Sequence, residues 1–133
     1  ARAYPREHLW QLAARLARRP YSYFAAHDRM ARRIVRDFAP PGVLIAIDTG
    51  AEALFHAWRG RSRLVLDLSI ATAPYRAHVF AAAEASPDHP GVRFHHPGDW
   101  ELSRYAAELA LADLVLCPSE FVRESCRFLG APE

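Results

Sequence analysis

The sequence contains no lysine, and all seventeen of its basic residues are arginine. Fifteen acidic residues are interspersed with these arginines and the formal net charge is only +2, so the composition argues against nucleic-acid binding. Four arginines, Arg29, Arg32, Arg33 and Arg36, lie on one side of a predicted helix. Such a cluster is typical of a solvated helix face, and the alternative interpretation is an anion-binding face.

Cysteine and long apolar runs are also scarce. The two cysteines are Cys117, in an apolar run, and Cys126, on an apolar helical face, and this spacing fits neither a disulfide framework nor a metal motif. Both are expected to be reduced core residues, which predicts a cytoplasmic protein. No apolar run approaches the roughly 18 residues of a membrane span.

Several motifs of known sites are absent. The chain has no Gly-x-Gly-x-x-Gly, no P-loop lysine and no Gly-x-Ser-x-Gly, which removes the simple nucleotide-binding and hydrolase signatures. His95 and His96 are adjacent, but no matching set of Cys, His or Asp accompanies them, although one of the pair could contact a substrate. The sequence therefore predicts no metal and no cofactor, and it assigns no catalytic residue.

Helical and strand patterns alternate along the chain. Helical spacing of Leu9, Leu12, Ala13, Leu16 and Ala17 predicts a first helix that Pro20 ends. Further helices are predicted at 22–38, 51–58, 74–85, 100–112 and 119–129. Asp99 is expected to cap the helix at 100–112. Short apolar runs predict strands at 43–47, 64–68 and 114–117.

Strands that alternate with helices imply right-handed crossovers and a parallel sheet. The predicted fold class is therefore α/β, a partial doubly wound, Rossmann-like, three-layer domain with a short parallel sheet. The lack of a strand before residue 43 favours a piece of a larger domain.

Polar residues lie at or just after the carboxyl end of each predicted strand. They are Asp48 and Thr49, then Asp67 and Ser69, then Ser119 and Glu120. The carboxyl ends of parallel strands meet at one edge of the sheet, where open α/β sheets bind ligands. Carboxylates beside hydroxyls suit a carbohydrate, and Asp67 and Ser69 are the first candidates for its contacts. Turn capping is the structural alternative for Asp48 and Asp67, and Ser119 is in any case expected to cap the following helix.

The segment 112–123, ADLVLCPSEFVR, resembles the end of the N-terminal domain of retaining GT-B glycosyltransferases, the glycogen synthase-like and sucrose synthase-like enzymes. Residues 64–70, LVLDLSI, with the Pro-led helix that runs on to Glu84, are similar to the middle of that domain. Some bacterial members have D-x-S-I-G-H-P there. Ala73 replaces the histidine of that pattern, so no role of the histidine is carried over. The resemblance covers about residues 28 to 133.

The resemblance implies that residues 1–133 are one α/β domain, the acceptor side of a two-domain enzyme. Its nucleotide-sugar domain would follow Glu133, so the isolated chain is expected to be inactive. The implied function is the acceptor-binding portion of a glycosyltransferase, which moves a sugar from a nucleotide-sugar donor to a carbohydrate or small-molecule acceptor.

Two alternatives remain open at this point. One is a non-enzymatic, flavodoxin-like α/β module that binds a ligand or a protein, with the arginine-rich helix as its interaction face. The other is a homo-oligomer formed through unpaired strand edges, because an incomplete sheet exposes backbone groups that pair readily with another chain.

Overall fold

The computed structural model describes residues 9, 12–13, 15–17, 23–88 and 90–130. The strands are β1 (Val43–Ile47), β2 (Arg63–Asp67) and β3 (Leu114–Leu116). The helices from residue 23 onward are α1 (Tyr23–Asp37), α2 (Glu52–Trp58), α3 (Ala73–Ala85), α4 (Asp99–Leu111) and α5 (Glu120–Phe128). None of the helices in the described part of the chain combines the length and apolarity that crossing a membrane requires.

The predicted α/β class with a short parallel sheet is confirmed. Each predicted strand is present, although β2 starts and ends one residue earlier than expected and β3 ends one residue earlier. Described residues between 9 and 16 are helical, as predicted. The predicted helix end at Pro20 and the predicted helix start at Ser22 lie outside the described residues.

Two helix-capping predictions have different outcomes. Ser119 caps α5, since its Oγ accepts a hydrogen bond from the Val122 N–H at 3.3 Å, and this is the expected role of a serine at that position. The expected capping of α4 by Asp99 is wrong. Gly98 is the N-cap and Asp99 is the first helical residue, where its negative charge lies next to the positive end of the helix dipole.

Helices α1 to α5 pack on one face of the sheet. Side chains alternate between the two faces of a strand, and one face presents Leu44, Ala46, Leu64, Leu66, Leu68 and Val115 to the three apolar clusters of the core. Phe55 from α2 and Tyr105 from α4 are buried in these clusters. The core therefore lies between the sheet and a single layer of helices.

The strand order explains this one-sided arrangement. The sheet is ordered β1-β2-β3, so each crossover moves one strand further in the same direction. Right-handed crossovers that step in one direction place all their helices on the same face. A doubly wound sheet carries helices on both faces, so the described residues correspond to part of such a domain.

The opposite face of the sheet, which we call the open face, is apolar and exposed. Its large exposed residues are Val43, Ile45, Ile47, Leu114 and Leu116. Val65, at its centre, is buried between its paired neighbours Ile45 and Leu114. None of helices α1 to α5 packs on this face, although parallel sheets are normally covered on both sides.

Alanine substitutions on the two faces should have unequal effects. Ile45→Ala should lower the free energy of unfolding by no more than about 1 kcal/mol, because the side chain is already 62% exposed. Leu66→Ala should cost about 3 kcal/mol, because Leu66 is fully buried. Urea denaturation of both variants measures the difference, and equal losses would show that the open face is in fact packed.

The two cysteines lie close together in the core layer. Their Sγ atoms are 3.9 Å apart, and Cys126 is buried while Cys117 is half-buried. Both are free thiols, as the sequence predicted. Burial and the neighbouring Cys117 together raise the pKa of Cys126 to about 11, so Cys126 is expected to be a poor nucleophile.

Alkylation of the native protein should therefore spare Cys126. At pH 8 its reaction with iodoacetamide should be more than about 100-fold slower than that of an exposed cysteine, whose pKa is about 8.5, because only the thiolate reacts. Peptide mass spectrometry at timed intervals measures the rate. The same protein in guanidinium is the control, and equal rates in the native and unfolded states would contradict the assignment.

Candidate functional site

A buried carboxylate on α4 holds the turn that follows β1. Glu108 is fully buried, and its oxygens accept hydrogen bonds from the backbone N–H groups of Thr49 at 2.6 Å, Ala51 at 2.9 Å and Glu52 at 3.1 Å. The last two N–H groups lie at the start of α2, which has no cap from its own neighbouring side chains. Glu108 therefore caps α2 from more than fifty residues away.

Arg104 balances the charge of this buried carboxylate. It lies one helical turn before Glu108, with its Nε 3.4 Å from a Glu108 oxygen, and is itself only 4% exposed. Its guanidinium also pairs with Asp28 of α1 at 2.8 Å. Burial raises the pKa of Glu108, and the three backbone N–H groups and Arg104 oppose that rise. The pair thus joins α1, α2 and α4 behind the carboxyl edge of the sheet.

The turn itself is strained at one residue. Thr49 has φ of 64°, the one positive φ outside glycine among the described residues. A β-branched residue in the left-handed region costs about 1–3 kcal/mol, and surrounding contacts must fix it. The Thr49 N–H bond to Glu108 supplies such a contact.

A second carboxylate links the ends of β1 and β2. Asp48 is buried and accepts hydrogen bonds from the Ser69 Oγ at 2.8 Å, from the Ser69 N–H at 3.3 Å and from the Tyr105 hydroxyl at 2.6 Å. Burial and the neighbouring Asp48 raise the pKa of Tyr105, so Tyr105 stays a hydrogen-bond donor at neutral pH. We call Asp48, Ser69 and Tyr105 the edge cluster.

The structure brings together some of the candidate residues and separates others. Asp48 and Ser69 are in direct contact, and Thr49 follows Asp48 in the same turn, half-buried. Asp67, a first candidate from the sequence, is an exposed residue of β2. Its side chain belongs to the open face, because it is in register with Ile47 and Leu116. Asp67 therefore does not join the edge cluster.

The two candidates after β3 form local contacts on α5. The Ser119 Oγ accepts from the Val122 N–H. Glu120 is exposed and pairs with Arg127 at 3.2 Å and with Arg123 at 2.5 Å. These arginines lower the pKa of Glu120. Both residues lie at the start of α5, and the described contacts of Glu120 are those of an exposed helical ion-pair network.

A pocket of about 330 Å³ lies beside the edge cluster. Its lining includes Ser69, Ile70 and Ala71 of the β2–α3 loop, Phe80 on α3, and Phe121 and Val122 on α5. Arg76 of α3 also borders it, with its Nε bonded to the Ala71 carbonyl at 3.0 Å and its Nη2 paired with Glu101 at 2.6 Å.

Two buried hydroxyl residues fix the walls of this pocket relative to each other. The Thr72 N–H donates to the Ser125 Oγ at 3.0 Å, and the Thr72 Oγ1 donates to the Ser125 carbonyl at 3.1 Å. Both residues are fully buried. The β2–α3 loop is thus tied to α5, so that the pocket has a defined shape in the absence of a ligand.

The histidine pair belongs to the loop before α4. His96 pairs with Glu84 at 3.2 Å, and Glu84 also accepts from the Phe94 N–H at 2.7 Å. These contacts lower the pKa of Glu84. Within the described ranges, no three His, Cys, Asp or Glu side chains are grouped as metal ligands.

Sequence reasoning did not find Glu108, Tyr105, Thr72 or Ser125. Glu108 follows a helical pattern of apolar and polar residues in which a glutamate normally faces solvent. One usable signal was the helical spacing of Tyr105, Glu108 and Leu109, which places all three on the core-facing side of α4.

Comparisons with known proteins give no relative: no family model, no curated protein and no solved structure matches this chain. The functional argument therefore rests on the geometry of the edge cluster and its pocket.

Removing one oxygen of Glu108 should destabilise the fold. Glu108→Gln leaves either the Thr49 N–H or the α2 N–H groups without an acceptor and removes the charge that Arg104 faces. The expected loss is about 2–4 kcal/mol in the free energy of unfolding, measured by urea denaturation. The exposed Glu124→Gln on α5 is the matched control and should change stability by less than about 0.5 kcal/mol. Equal small losses would show that the buried carboxylate does not hold the turn.

Proposed function

We propose that this chain binds the acceptor of a glycosyl transfer reaction, as the acceptor-binding part of a glycosyltransferase that uses a nucleotide-sugar donor. The observation that carries the proposal is the edge cluster with its adjoining pocket at the carboxyl end of the sheet. This is the edge at which open α/β sheets bind ligands.

Ser69 gives the site a defined hydrogen-bonding character. Its hydroxyl proton is directed to Asp48, so the lone pairs of Ser69 Oγ are left to accept a hydrogen bond from a ligand. Ser69 is exposed and lines the pocket. A hydroxyl group of an acceptor is a suitable donor to it, and the charge of Asp48 strengthens Ser69 as an acceptor.

The charges around the pocket support a neutral ligand. The nearest cation, Arg76, is paired with Glu101 at 2.6 Å and also donates to the Ala71 carbonyl. Its charge is therefore largely matched within the protein. A phosphate or carboxylate ligand would have to compete with Glu101, whereas a neutral hydroxyl compound would leave the pair intact.

The second candidate function is a non-enzymatic α/β module that binds a protein. The open face is the observation that favours it, because contiguous exposed apolar surface is typical of interaction sites. Sedimentation of the chain at several concentrations distinguishes the protein-binding module from the acceptor-binding function. Association that Ile45→Asp abolishes would favour the binding module, whereas a monomer that binds hydroxyl compounds would favour the acceptor site.

Substitution of Ser69 tests the acceptor proposal directly. Ser69→Ala should weaken binding of a methyl glycoside about tenfold, which corresponds to about 1.4 kcal/mol for one hydrogen bond. A panel of methyl glycosides is screened by ligand-induced amide shifts in NMR spectra, and the best is titrated against both proteins. Ser103→Ala, an exposed serine on α4, is the control and should leave affinity unchanged. If no glycoside shifts the amides around Ser69, or if both variants bind alike, the proposal is wrong.

A further inference from the structure

The pocket beside Ser69 is lined mainly by apolar side chains, and Ser69 is the member of the edge cluster that lines it. Resting on the proposed function, we infer that the acceptor is a neutral molecule with an apolar ring or short alkyl chain next to its reacting hydroxyl. The hydroxyl would lie at Ser69, and the apolar group would enter the pocket between α3 and α5.

Two aromatic side chains from different helices line the pocket. Phe121 on α5 is 50% exposed, and Phe80 on α3 is half-buried. Each is held by a second ring, since Phe121 meets Tyr75 edge to face at a centroid distance of 5.4 Å and Phe80 stacks on Phe94 at 4.6 Å. The two walls are therefore pre-positioned, and they offer ring faces and edges to a ligand.

Aliphatic residues complete the lining. Ile70 is 47% exposed, and Val79 and Val122 also border the pocket. A sugar without an apolar substituent would leave this apolar surface in contact with water or with the hydroxyl groups of the sugar. An apolar group would remove it from water, which is favourable in proportion to the area covered.

The size of the pocket limits the apolar group. A volume of about 330 Å³ is that of roughly eleven water molecules, at about 30 Å³ each in the liquid. This accommodates one six-membered ring with a short substituent. A single aryl or cyclic group therefore fits within it.

The charge pattern disfavours an anionic group at this position. Arg76 is the one charged residue of the lining, and Glu101 matches it at 2.6 Å. An acidic ligand would compete with Glu101 for Arg76 and would lie close to Asp48, which is bonded to Ser69. Phosphorylated or carboxylated acceptors are therefore disfavoured, in contrast to neutral aryl glycosides or alcohols.

The test compares three probes with the same 133-residue chain: phenyl glucoside, methyl glucoside and benzyl alcohol. Affinities are measured by amide shifts in NMR titrations. We expect phenyl glucoside to bind at least tenfold more tightly than methyl glucoside, with shifts at Ser69, Val79 and Phe121.

Two variants test whether the preference for phenyl glucoside over methyl glucoside arises in the pocket. Phe121→Ala removes an exposed wall, and Val79→Trp fills the space. Each should reduce the advantage of the phenyl over the methyl compound to less than about threefold. Ile45→Ala, which removes an exposed apolar side chain from the open face, is the control and should retain the full preference. Circular dichroism confirms that each variant is folded.

The outcomes separate this inference from the proposed function. If both glucosides bind equally and Ser69→Ala weakens both, the acceptor site stands and the inference of an apolar group is wrong. If benzyl alcohol binds as tightly as phenyl glucoside and Ser69→Ala has no effect, the apolar pocket stands and the proposed acceptor function is wrong. If none of the probes binds, both are overturned.

Discussion

The buried carboxylate of Glu108 is the constraint on which the rest of the structure depends. It accepts hydrogen bonds from three backbone N–H groups around the β1–α2 turn and faces Arg104, which in turn pairs with Asp28 on α1. A buried carboxylate without partners would lower the free energy of unfolding by several kcal/mol. The three N–H groups and Arg104 must therefore be in place together. Because they come from α1, α2 and α4, satisfying the charge fixes three helices against one end of β1.

This constraint also sets the geometry of the candidate site. Tyr105 lies one helical turn before Glu108 on α4 and donates to Asp48, while Asp48 accepts from Ser69. The same helix thus holds both the turn after β1 and the edge cluster. Thr72 and Ser125 then fix the β2–α3 loop to α5. The apolar pocket lies between these supported parts, so its shape is defined by the fold rather than by a ligand.

Local sequence patterns predicted the helices and strands. The geometry of the candidate site depends instead on hydrogen bonds between residues that are far apart in the sequence. Apolar runs indicated all three strands, and Ser119 was recognisable as a cap because capping involves residues three apart. The role of Glu108 depends on partners 56 to 59 residues away, which no local pattern reveals. Asp67 and Ser69 looked equivalent in sequence, but strand alternation directs Asp67 to the open face and Ser69 lies beyond the strand. The open face likewise results from the strand order, which local sequence patterns do not predict.

Amide hydrogen exchange is the measurement that tests the central claim most directly. If Glu108 holds the turn, the amides of Thr49, Ala51 and Glu52 should be strongly protected although they lie in a turn and at the first residues of a helix. Such amides usually exchange rapidly, because they have no partner within the helix. The account predicts protection close to that of Leu66 in the central strand. Exchange at the rate of unprotected amides would contradict it.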